Sequence, residues 1–245
     1  MKILILAAGK GTRLGNLTKN KPKCLVSYKK TPIIDHILSI VDEFKISDVA
    51  IVNGYKKNVL EKYLSNKGYV FFTNEKYDIT NMVSSFFCAK EFMDDDFILS
   101  YSDIVYKKSV LKKLISSNED FSLVVDSNWR DLWEKRFDNP LDDLEELKII
   151  DNKIFKIGKR AKDYKSIDGQ YIGLFKISKK IIPKILKIYD DLIQDDSLSE
   201  KEINNIQMTE FIQILIEKGI TISPVFIRGG WTEIDSVSDL NVEFK

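Results

Sequence analysis

A glycine-rich segment directly after the first apolar run carries the strongest chemical signal in the sequence. It runs Ala7-Ala8-Gly9-Lys10-Gly11-Thr12-Arg13, and Lys23 follows ten residues later in Lys21-Pro22-Lys23. Glycines let main-chain N–H groups approach an anion closely and form a concave nest for phosphate. Arg13 offers a planar fork to phosphate oxygens, and Lys23 offers a compact point charge. Together they predict a phosphate-binding loop rather than a tight turn with a solvated basic flank.

Two common phosphate-binding loops do not fit this segment. A dinucleotide-binding fingerprint needs a third glycine where Leu14 stands, and the residues that follow do not predict a helix leading to a ribose-binding acid. A Walker A loop ends in Gly-Lys-Ser or Gly-Lys-Thr, which is absent from the segment. The loop therefore belongs to another class of phosphate-binding protein.

Two aspartates are candidate metal ligands. Asp103 follows the apolar run 97–101, and Asp235 closes the segment Gly229-Gly230-Trp231-Thr232-Glu233-Ile234-Asp235. Ligands of open α/β folds bind at the carboxyl edge of the sheet, where residues after strands are found. Magnesium prefers one or two carboxylates with phosphate oxygens and water. Each aspartate alone is more often part of a turn or a helix cap, and Asp235, just before Ser236, could cap a helix.

The rest of the sequence alternates between apolar runs and segments with helical periodicity. This alternation predicts a three-layer α/β/α, Rossmann-like fold with a mixed, mostly parallel central sheet covered on both faces. Residues 1–245 are predicted to form one domain. Segment 128–144 is predicted to be an irregular excursion over the active-site face, since long loops in compact domains are usually functional. The predicted strands are 2–6, 48–52, 69–73, 97–101, 121–125, 171–177 and 220–226, with a hairpin at 147–157; the predicted helices are 33–44 (capped by Thr31 before Pro32), 57–64, 80–92, 109–115, 179–192 and 203–217.

Composition excludes several classes of function. With 38 Lys and Arg against 37 Asp and Glu, the chain has no global field to recruit nucleic acid or an anionic membrane. Cys24 and Cys88 lie in apolar segments and predict free thiols in a reducing cytoplasm. The N-terminal apolar run is too short to span a bilayer. We expect a soluble cytoplasmic protein, a monomer or homodimer, that binds neither nucleic acid nor membrane.

The stretch LAAGKGTRLGNLTKNKPKCLV, residues 6–26, resembles the signature of the nucleotidyltransferases that make nucleotide sugars and CDP-linked headgroups. Their pattern is Ala-Gly-x-Gly-x-Arg followed by Pro-Lys, and every position matches. The resemblance implies that Gly9, Gly11 and Arg13 hold a triphosphate and that Lys23 stabilises the charge formed during transfer. It makes Arg13 and Lys23 the catalytic candidates and Asp103 and Asp235 the Mg²⁺ ligands, with Asp103 also near the nucleotide. The loop residues expected to contact the nucleotide are Leu6, Ala7, Ala8, Gly9, Gly11 and Thr12.

The resemblance also narrows the substrate. Members that use sugar 1-phosphates carry Gly-Thr-Ala and Glu-Lys-Pro segments, where this chain has residues 78–85 (DITNMVSS) and 158–160 (GKR). TNMVSSFFCA, SYSDIVY, NWRDLWEKRFDNPLDD, GQYIGLFKIS, MTEFI and GGWTEID are instead similar to cytidylyltransferases acting on phosphocholine, 2-aminoethylphosphonate or phosphoglutamine. CTP is implied by this resemblance alone. Asn81 and Ser85 are candidates for base or ribose contacts. Lys159 and Gln170 are candidates to bind the phosphate or a carboxylate of the headgroup. The candidates for its charged amine are Trp129, Trp133, Trp231, Tyr101, Glu210 and Glu233.

The expected reaction is attack by a phosphate or phosphonate oxygen of the small substrate on the α-phosphorus, with pyrophosphate leaving. A phosphate monoester loses its second proton near about pH 6, so no general base is needed. His36, the single histidine, is predicted to lie in mid-helix without a catalytic role, and Met82, Phe86 and Phe87 are predicted to be helix core. Two alternatives remain: a sugar-1-phosphate nucleotidyltransferase, and a nucleotide-binding module without activity.

Overall fold

The computed structural model describes residues 1–244 of the chain. Its helices and strands alternate much as the sequence predicts. In chain order they are β1 (Lys2–Ala7), β2 (Ser27–Tyr28), β3 (Thr31–Pro32), α1 (Ile33–Glu43), β4 (Val49–Asn53), α2 (Lys57–Tyr63), β5 (Val70–Thr73), α3 (Met82–Cys88), β6 (Phe97–Tyr101), β7 (Ile104–Tyr106), α4 (Lys108–Ile115), β8 (Phe121–Asp126), α5 (Trp129–Arg136), β9 (Glu145–Ile150), β10 (Lys153–Arg160), β11 (Gln170–Ile177), α6 (Ile182–Ile193), α7 (Glu200–Asn205), α8 (Met208–Glu217), β12 (Ser223–Ile227) and β13 (Trp231–Glu233).

Seven strands form the central sheet, in the order β12, β8, β11, β6, β1, β4, β5. The pairs β1/β4, β1/β6, β4/β5 and β8/β12 are parallel, whereas β11 is antiparallel to both β6 and β8. The predicted mixed, mostly parallel sheet is therefore confirmed. From β1 the chain builds outward through β4 and β5 and then returns to β6 on the other side of β1. The carboxyl ends of β1 and β6 thus form a topological switch point, where open α/β sheets bind ligands.

Both faces of the sheet are covered, as a run of buried residues in β1 requires. Ile3 and Ile5 join an apolar cluster with α1 on one face, while Leu4 and Leu6 join the cluster of α3 and α8 on the other. This split follows from the two-residue period of a strand, which sends successive side chains to opposite faces. Each fully buried aliphatic side chain contributes roughly 1.5–3 kcal/mol. The first strand is thereby fixed between two apolar layers.

Several predicted boundaries are wrong in physically informative ways. Thr31 does not cap α1, because it pairs with β2 as part of β3, and α1 begins after Pro32. Segment 128–144 is not irregular throughout, since α5 buries one apolar face before Pro140 begins a short 3₁₀ turn. The single helix predicted at 203–217 is two helices, α7 and α8, separated near Ile206. The helix predicted at 80–92 ends at Cys88.

A short ribbon outside the main sheet brings the C-terminal segment to the switch point. Strand β13 pairs antiparallel with β7, with Glu233 opposite Ile104, and the N–H of Ile234 donates to the carbonyl of Asp103 at 2.8 Å. β7 follows β6 after only two residues. The ribbon therefore holds residues 233–235 beside the carboxyl end of β6.

Asp126, at the end of β8, holds the segment that leads into β13. Its side chain is fully buried, and its Oδ1 accepts from the N–H groups of Asn128 (2.8 Å) and Gly229 (2.9 Å). Its Oδ2 accepts from the indole Nε1 of Trp231 at 2.8 Å. One carboxylate thus joins β8, the start of α5 and the double-glycine turn before β13.

In the part of the chain described, no helix is both long and apolar enough to cross a membrane.

We expect Asp126→Asn to lower the free energy of unfolding by about 2 kcal/mol. Both oxygens of Asp126 accept hydrogen bonds, so the amide nitrogen of asparagine would face an N–H donor and leave that buried donor without a partner. Urea unfolding followed by far-UV circular dichroism measures the change. Asp138→Asn, the same substitution at an exposed position, is the matched control and should stay within about 0.5 kcal/mol of the parent. Equal stabilities for the two variants would contradict the role given to Asp126.

Candidate active site

The ammonium of Lys23 lies at the centre of the candidate site. Its Nζ is 2.7 Å from Oδ2 of Asp103 and 2.7 Å from Oδ1 of Asp235, and its side chain is only 10% exposed. Burial lowers the pKa of Lys23, but the charges of Asp103 and Asp235 raise it more, so the net shift is upward. The lysine is therefore held as a cation between two carboxylates from distant parts of the chain.

The glycine-rich loop closes directly over this lysine. Gly11 has a left-handed backbone (φ +65°), and a Cβ at this position would lie 2.8 Å from Cβ of Lys23. Both features require glycine, since a side chain would strain the backbone and overlap the lysine stem. Arg13, two residues later and 64% exposed, forms an ion pair with Oδ2 of Asp235. The two predicted catalytic cations thus lie on opposite oxygens of the same aspartate.

Three carboxylates converge at this point. Oxygens of Asp103, Glu233 and Asp235 lie within 4.8 Å of one another. Oδ1 of Asp103 is buried and has no hydrogen-bond partner among residues 1–244. Magnesium binds oxygens at about 2.1 Å, so ligands of one ion lie about 3–4 Å apart. The donor set therefore fits a divalent cation and includes both predicted ligands.

Glu233, which the sequence suggested only for the headgroup pocket, belongs to this cluster and also lines the second cavity described below. Burial raises the pKa of Glu233, the charge of Arg136 lowers it and that of Asp103 raises it, and the net shift is upward. The available signal was its position two residues before Asp235 on a strand, where alternate side chains share a face. The pairing of β13 with β7 was needed to show which aspartate that face meets.

Arg136, a residue that the sequence did not single out, supports the cluster from behind. Its side chain is 1% exposed; Nη1 donates to Glu233 Oε2 and Nε to Asp239 Oδ1, both at 2.9 Å. Oδ2 of Asp239 accepts from the N–H groups of Asp235 (2.9 Å) and Ser236 (2.7 Å). Asp239, rather than Asp235, therefore fixes the C-terminal turn. Asp235 keeps both carboxylate oxygens directed at cations.

A cavity of about 300 Å³ extends from the cluster along the glycine-rich loop and α3. Asn81 caps α3 by accepting from the N–H of Met82 at 2.7 Å, and Ser85 accepts from Asn74 at 2.9 Å. Ala7 is buried at the end of β1, beside the lining residues. The cavity is lined by most of the residues predicted to contact the nucleotide: Leu6, Ala8, Gly9, Gly11, Thr12, Arg13, Lys23, Asn81, Ser85 and Asp103.

A second cavity, of about 190 Å³, adjoins the first and shares Arg13, Met82, Tyr101 and Asp235 with it. Met82, predicted to be core, is 36% exposed and faces both cavities, whereas Phe86 and Phe87 are buried as predicted. The second cavity combines aromatic faces with carboxylates; its further lining includes Trp133, Tyr171, Trp231, Asp143, Glu145, Glu233 and Gln170.

The predicted headgroup residues are divided by the structure. Gln170 and Trp231 line the second cavity, and Lys159 and Glu210 line a third cavity that adjoins it. Trp129 lines none of these three cavities as residues 1–244 define them, because its buried ring packs against Trp133 and Tyr164.

Comparison with known proteins identifies the family. Residues 3–192 match the family model described as the MobA-like NTP transferase domain. The chain belongs to this family. The chain is also 45% identical, over the full length of both proteins, to the CTP:phosphoglutamine cytidylyltransferase of Campylobacter jejuni. It is thus a nucleotidyltransferase.

Other relatives and solved structures agree on the family and its fold. The choline-phosphate cytidylyltransferase of Streptococcus pneumoniae is 32% identical over 117 residues, 48% of this chain and 51% of that protein. The bifunctional protein GlmU of Methanocaldococcus jannaschii is 26% identical over 98% of this chain, which spans only 52% of that protein. The inositol-1-phosphate CTP transferase of T. maritima superposes with a TM-score of 0.76 over 98% of this chain and 91% of that one, at 23% identity. Such a likeness confirms the Rossmann-like nucleotidyltransferase fold.

In this nucleotidyltransferase we expect Lys23→Ala and Asp103→Ala each to reduce turnover by about a hundredfold or more, since each removes a preorganised charge. Steady-state release of pyrophosphate measures the loss. Lys19→Ala, which removes an exposed lysine four residues away, is the matched control and should retain parental turnover. Near-parental rates in both site variants would remove this cluster from the chemistry.

We expect Arg136→Lys to raise the Mg²⁺ concentration for half-maximal activity by about tenfold, because an ammonium cannot reproduce the fork that holds Glu233 and Asp239 together. Activity is titrated with Mg²⁺ at saturating nucleotide, and the binding of Mn²⁺ is followed separately by its electron paramagnetic resonance signal. Arg130→Lys, an exposed arginine of the same helix, is the control. An unchanged metal requirement would show that Arg136 does not position the carboxylates.

Proposed function

We propose that this nucleotidyltransferase joins CMP from CTP to a small phosphorylated headgroup that carries an amine, with phosphoglutamine as its foremost substrate, and releases pyrophosphate. The observation that carries the proposal is the junction of two cavities at one charged cluster. Arg13 and Asp235 line both cavities, and Lys23 joins Asp235 to Asp103. A nucleotide held by the glycine-rich loop and a headgroup in the aromatic cavity would therefore meet at Lys23.

The reaction needs positioning and charge neutralisation more than acid or base chemistry. An ionised phosphate oxygen of the headgroup forms a bond to the α-phosphorus of CTP, and the bond from that phosphorus to the oxygen of the leaving pyrophosphate breaks. The nucleophile is already ionised near neutral pH. His36 lies on α1, and its Nε2 is 3.0 Å from the carbonyl oxygen of Tyr28. In this proposal the histidine takes no part.

The charged side chains have distinct tasks in this proposal. Lys23 and Arg13 stabilise the negative charge on the phosphates as it redistributes. Asp103 and Asp235, with Glu233 beside them, would hold Mg²⁺, which neutralises phosphate charge when bound. The buried, unpaired Oδ1 of Asp103 supports this assignment. Asn81 and Ser85 remain candidates for contacts to the base or ribose.

The headgroup cavity supports an amine-bearing substrate. Trp133 and Trp231 offer aromatic faces to a cation, and Asp143 and Glu145 offer carboxylates. Neither carboxylate forms an ion pair within residues 1–244. The preference for CTP rests on the names of the relatives, among them the enzyme from Campylobacter jejuni that matches the whole chain.

A sugar-1-phosphate nucleotidyltransferase is the second candidate, because the pattern at residues 6–26 also resembles the signature of the nucleotidyltransferases that make nucleotide sugars. Segment 78–85 lacks the Gly-Thr-Ala pattern that the resemblance associates with sugars. The inactive-module alternative is disfavoured by the intact cluster of Lys23, Asp103 and Asp235.

We further propose that residues 1–245 act as one domain in the cytoplasm, as a monomer or homodimer.

We expect CTP with phosphoglutamine to give the highest rate of pyrophosphate release in a panel that pairs each nucleoside triphosphate with each acceptor. The acceptors are phosphoglutamine, phosphocholine, 2-aminoethylphosphonate and glucose 1-phosphate. Removal of divalent metal by EDTA should abolish turnover, and Mg²⁺ should restore it. Turnover of glucose 1-phosphate without any amine-bearing acceptor would replace this proposal by the sugar alternative.

A further inference from the structure

The second cavity, which we assign to the headgroup, opens into further space. A third cavity, of about 570 Å³, continues from it, and the two share Arg13, Asp143, Glu145, Gln207 and Thr209. The far wall of the third cavity comes from the end of β10 and from α8. A headgroup whose phosphate meets Lys23 can therefore extend into a space larger than phosphocholine needs.

The wall that separates the two cavities carries side chains that accept hydrogen bonds. Glu145 Oε1 accepts from Thr209 Oγ1 at 3.0 Å, and Asp143 Oδ2 accepts from the indole of Trp133 at 3.2 Å. Burial raises the pKa of Glu145. Gln170, 4% exposed, donates its amide nitrogen to the main-chain oxygens of Glu145 (2.7 Å) and Gly169 (3.1 Å). Its amide oxygen is thereby left as a further acceptor on the cavity wall, and an ammonium group would satisfy all three side chains.

The far wall offers the opposite charge. Of the three cationic side chains that line the third cavity, Arg13 is paired with Asp235 and Arg160 with Asp142 at 3.0 Å. Lys159 has no ion-pair partner within residues 1–244. It is therefore the cation available to an anionic group of a ligand.

The local backbone explains why Lys159 reaches this wall. Gly158 and Lys159 both have left-handed backbones (φ 78° and 54°), and the register of β10 against β9 shifts between Gly158 and Arg160. A Cβ at Gly158 would lie 3.3 Å from Thr209, so this end of β10 packs closely on α8. A bulge of this kind redirects a side chain that would otherwise follow the regular alternation of the strand.

We propose that these two walls form a subsite for a free α-amino acid, in which Asp143 and Glu145 bind the α-ammonium and Lys159 binds the α-carboxylate. The inference rests on the proposed function and deepens it. Phosphocholine and 2-aminoethylphosphonate carry a cation without a carboxylate and would leave Lys159 unpaired. Lys159 is thus a specificity residue that favours a phosphorylated amino acid over a phosphorylated amine.

The test compares Lys159→Met with wild type on two acceptors, phosphoglutamine and its decarboxylated counterpart, which keeps the amine and the phosphate. We expect the substitution to lower kcat/KM for phosphoglutamine by about tenfold to a hundredfold, mainly through KM, because a charge-assisted contact is lost. The decarboxylated acceptor should be unaffected. Lys159→Arg should retain part of the preference. The matched control is Lys162→Met, three residues away and exposed, which should leave both acceptors unchanged.

Either of two kinetic outcomes overturns the assignment. An equal loss for both acceptors would mean that Lys159 acts on the phosphate or on the fold, and no loss for either would mean that it contacts neither. If wild type turns over neither acceptor, the proposed function fails, and calorimetric titration with phosphoglutamine decides the subsite separately. Binding that Lys159→Met weakens and Lys162→Met does not would support the subsite, whereas absence of binding by wild type would overturn it.

Discussion

A single buried ammonium determines how the functional part of this protein is assembled. Lys23 Nζ contacts Asp103 and Asp235 at 2.7 Å each, joining segments 80 and 212 residues away from it in sequence. Charges so poorly exposed to water are tolerated only when they are paired and hydrogen bonded. Removing one partner from such a buried pair costs about 3–5 kcal/mol. The loop, the end of β6 and the C-terminal ribbon must therefore take up positions that satisfy this group.

The fold provides those positions through its topology. The reversal of strand order at β1 leaves the carboxyl ends of β1 and β6 side by side, and the ribbon of β7 and β13 carries the last acidic residues to the same edge. Behind them, Arg136 and Asp239 hold Glu233 and the main chain of Asp235. Ligand groups on rigid strands, supported by a second layer of hydrogen bonds, are the arrangement that keeps a metal or phosphate site in a fixed geometry.

We propose that the headgroup is chosen in cavities that adjoin this charged centre. The first cavity lies along the glycine-rich loop and α3, whereas much of the lining of the second and third cavities comes from the segment between α5 and β11 and from α8. Asp143 lies between α5 and β9 and Lys159 lies near the end of β10, and neither of them lines the first cavity, which Lys23 lines. Such a division lets relatives of one fold share the transfer of a nucleotidyl group while their headgroups differ.

Strand periodicity and glycine spacing are local properties of the chain, so the class of fold, the glycine-rich loop and four side chains of the charged centre could be predicted from the sequence. Arg13, Lys23, Asp103 and Asp235 do come together, and the family comparison confirms the nucleotidyltransferase assignment. The folded chain was needed to place Glu233 in the cluster and Arg136 and Asp239 behind it. It was also needed to show that Trp129 is packed against other rings and that Met82 is exposed. Those features depend on which faces of distant elements meet, and no local pattern encodes that contact.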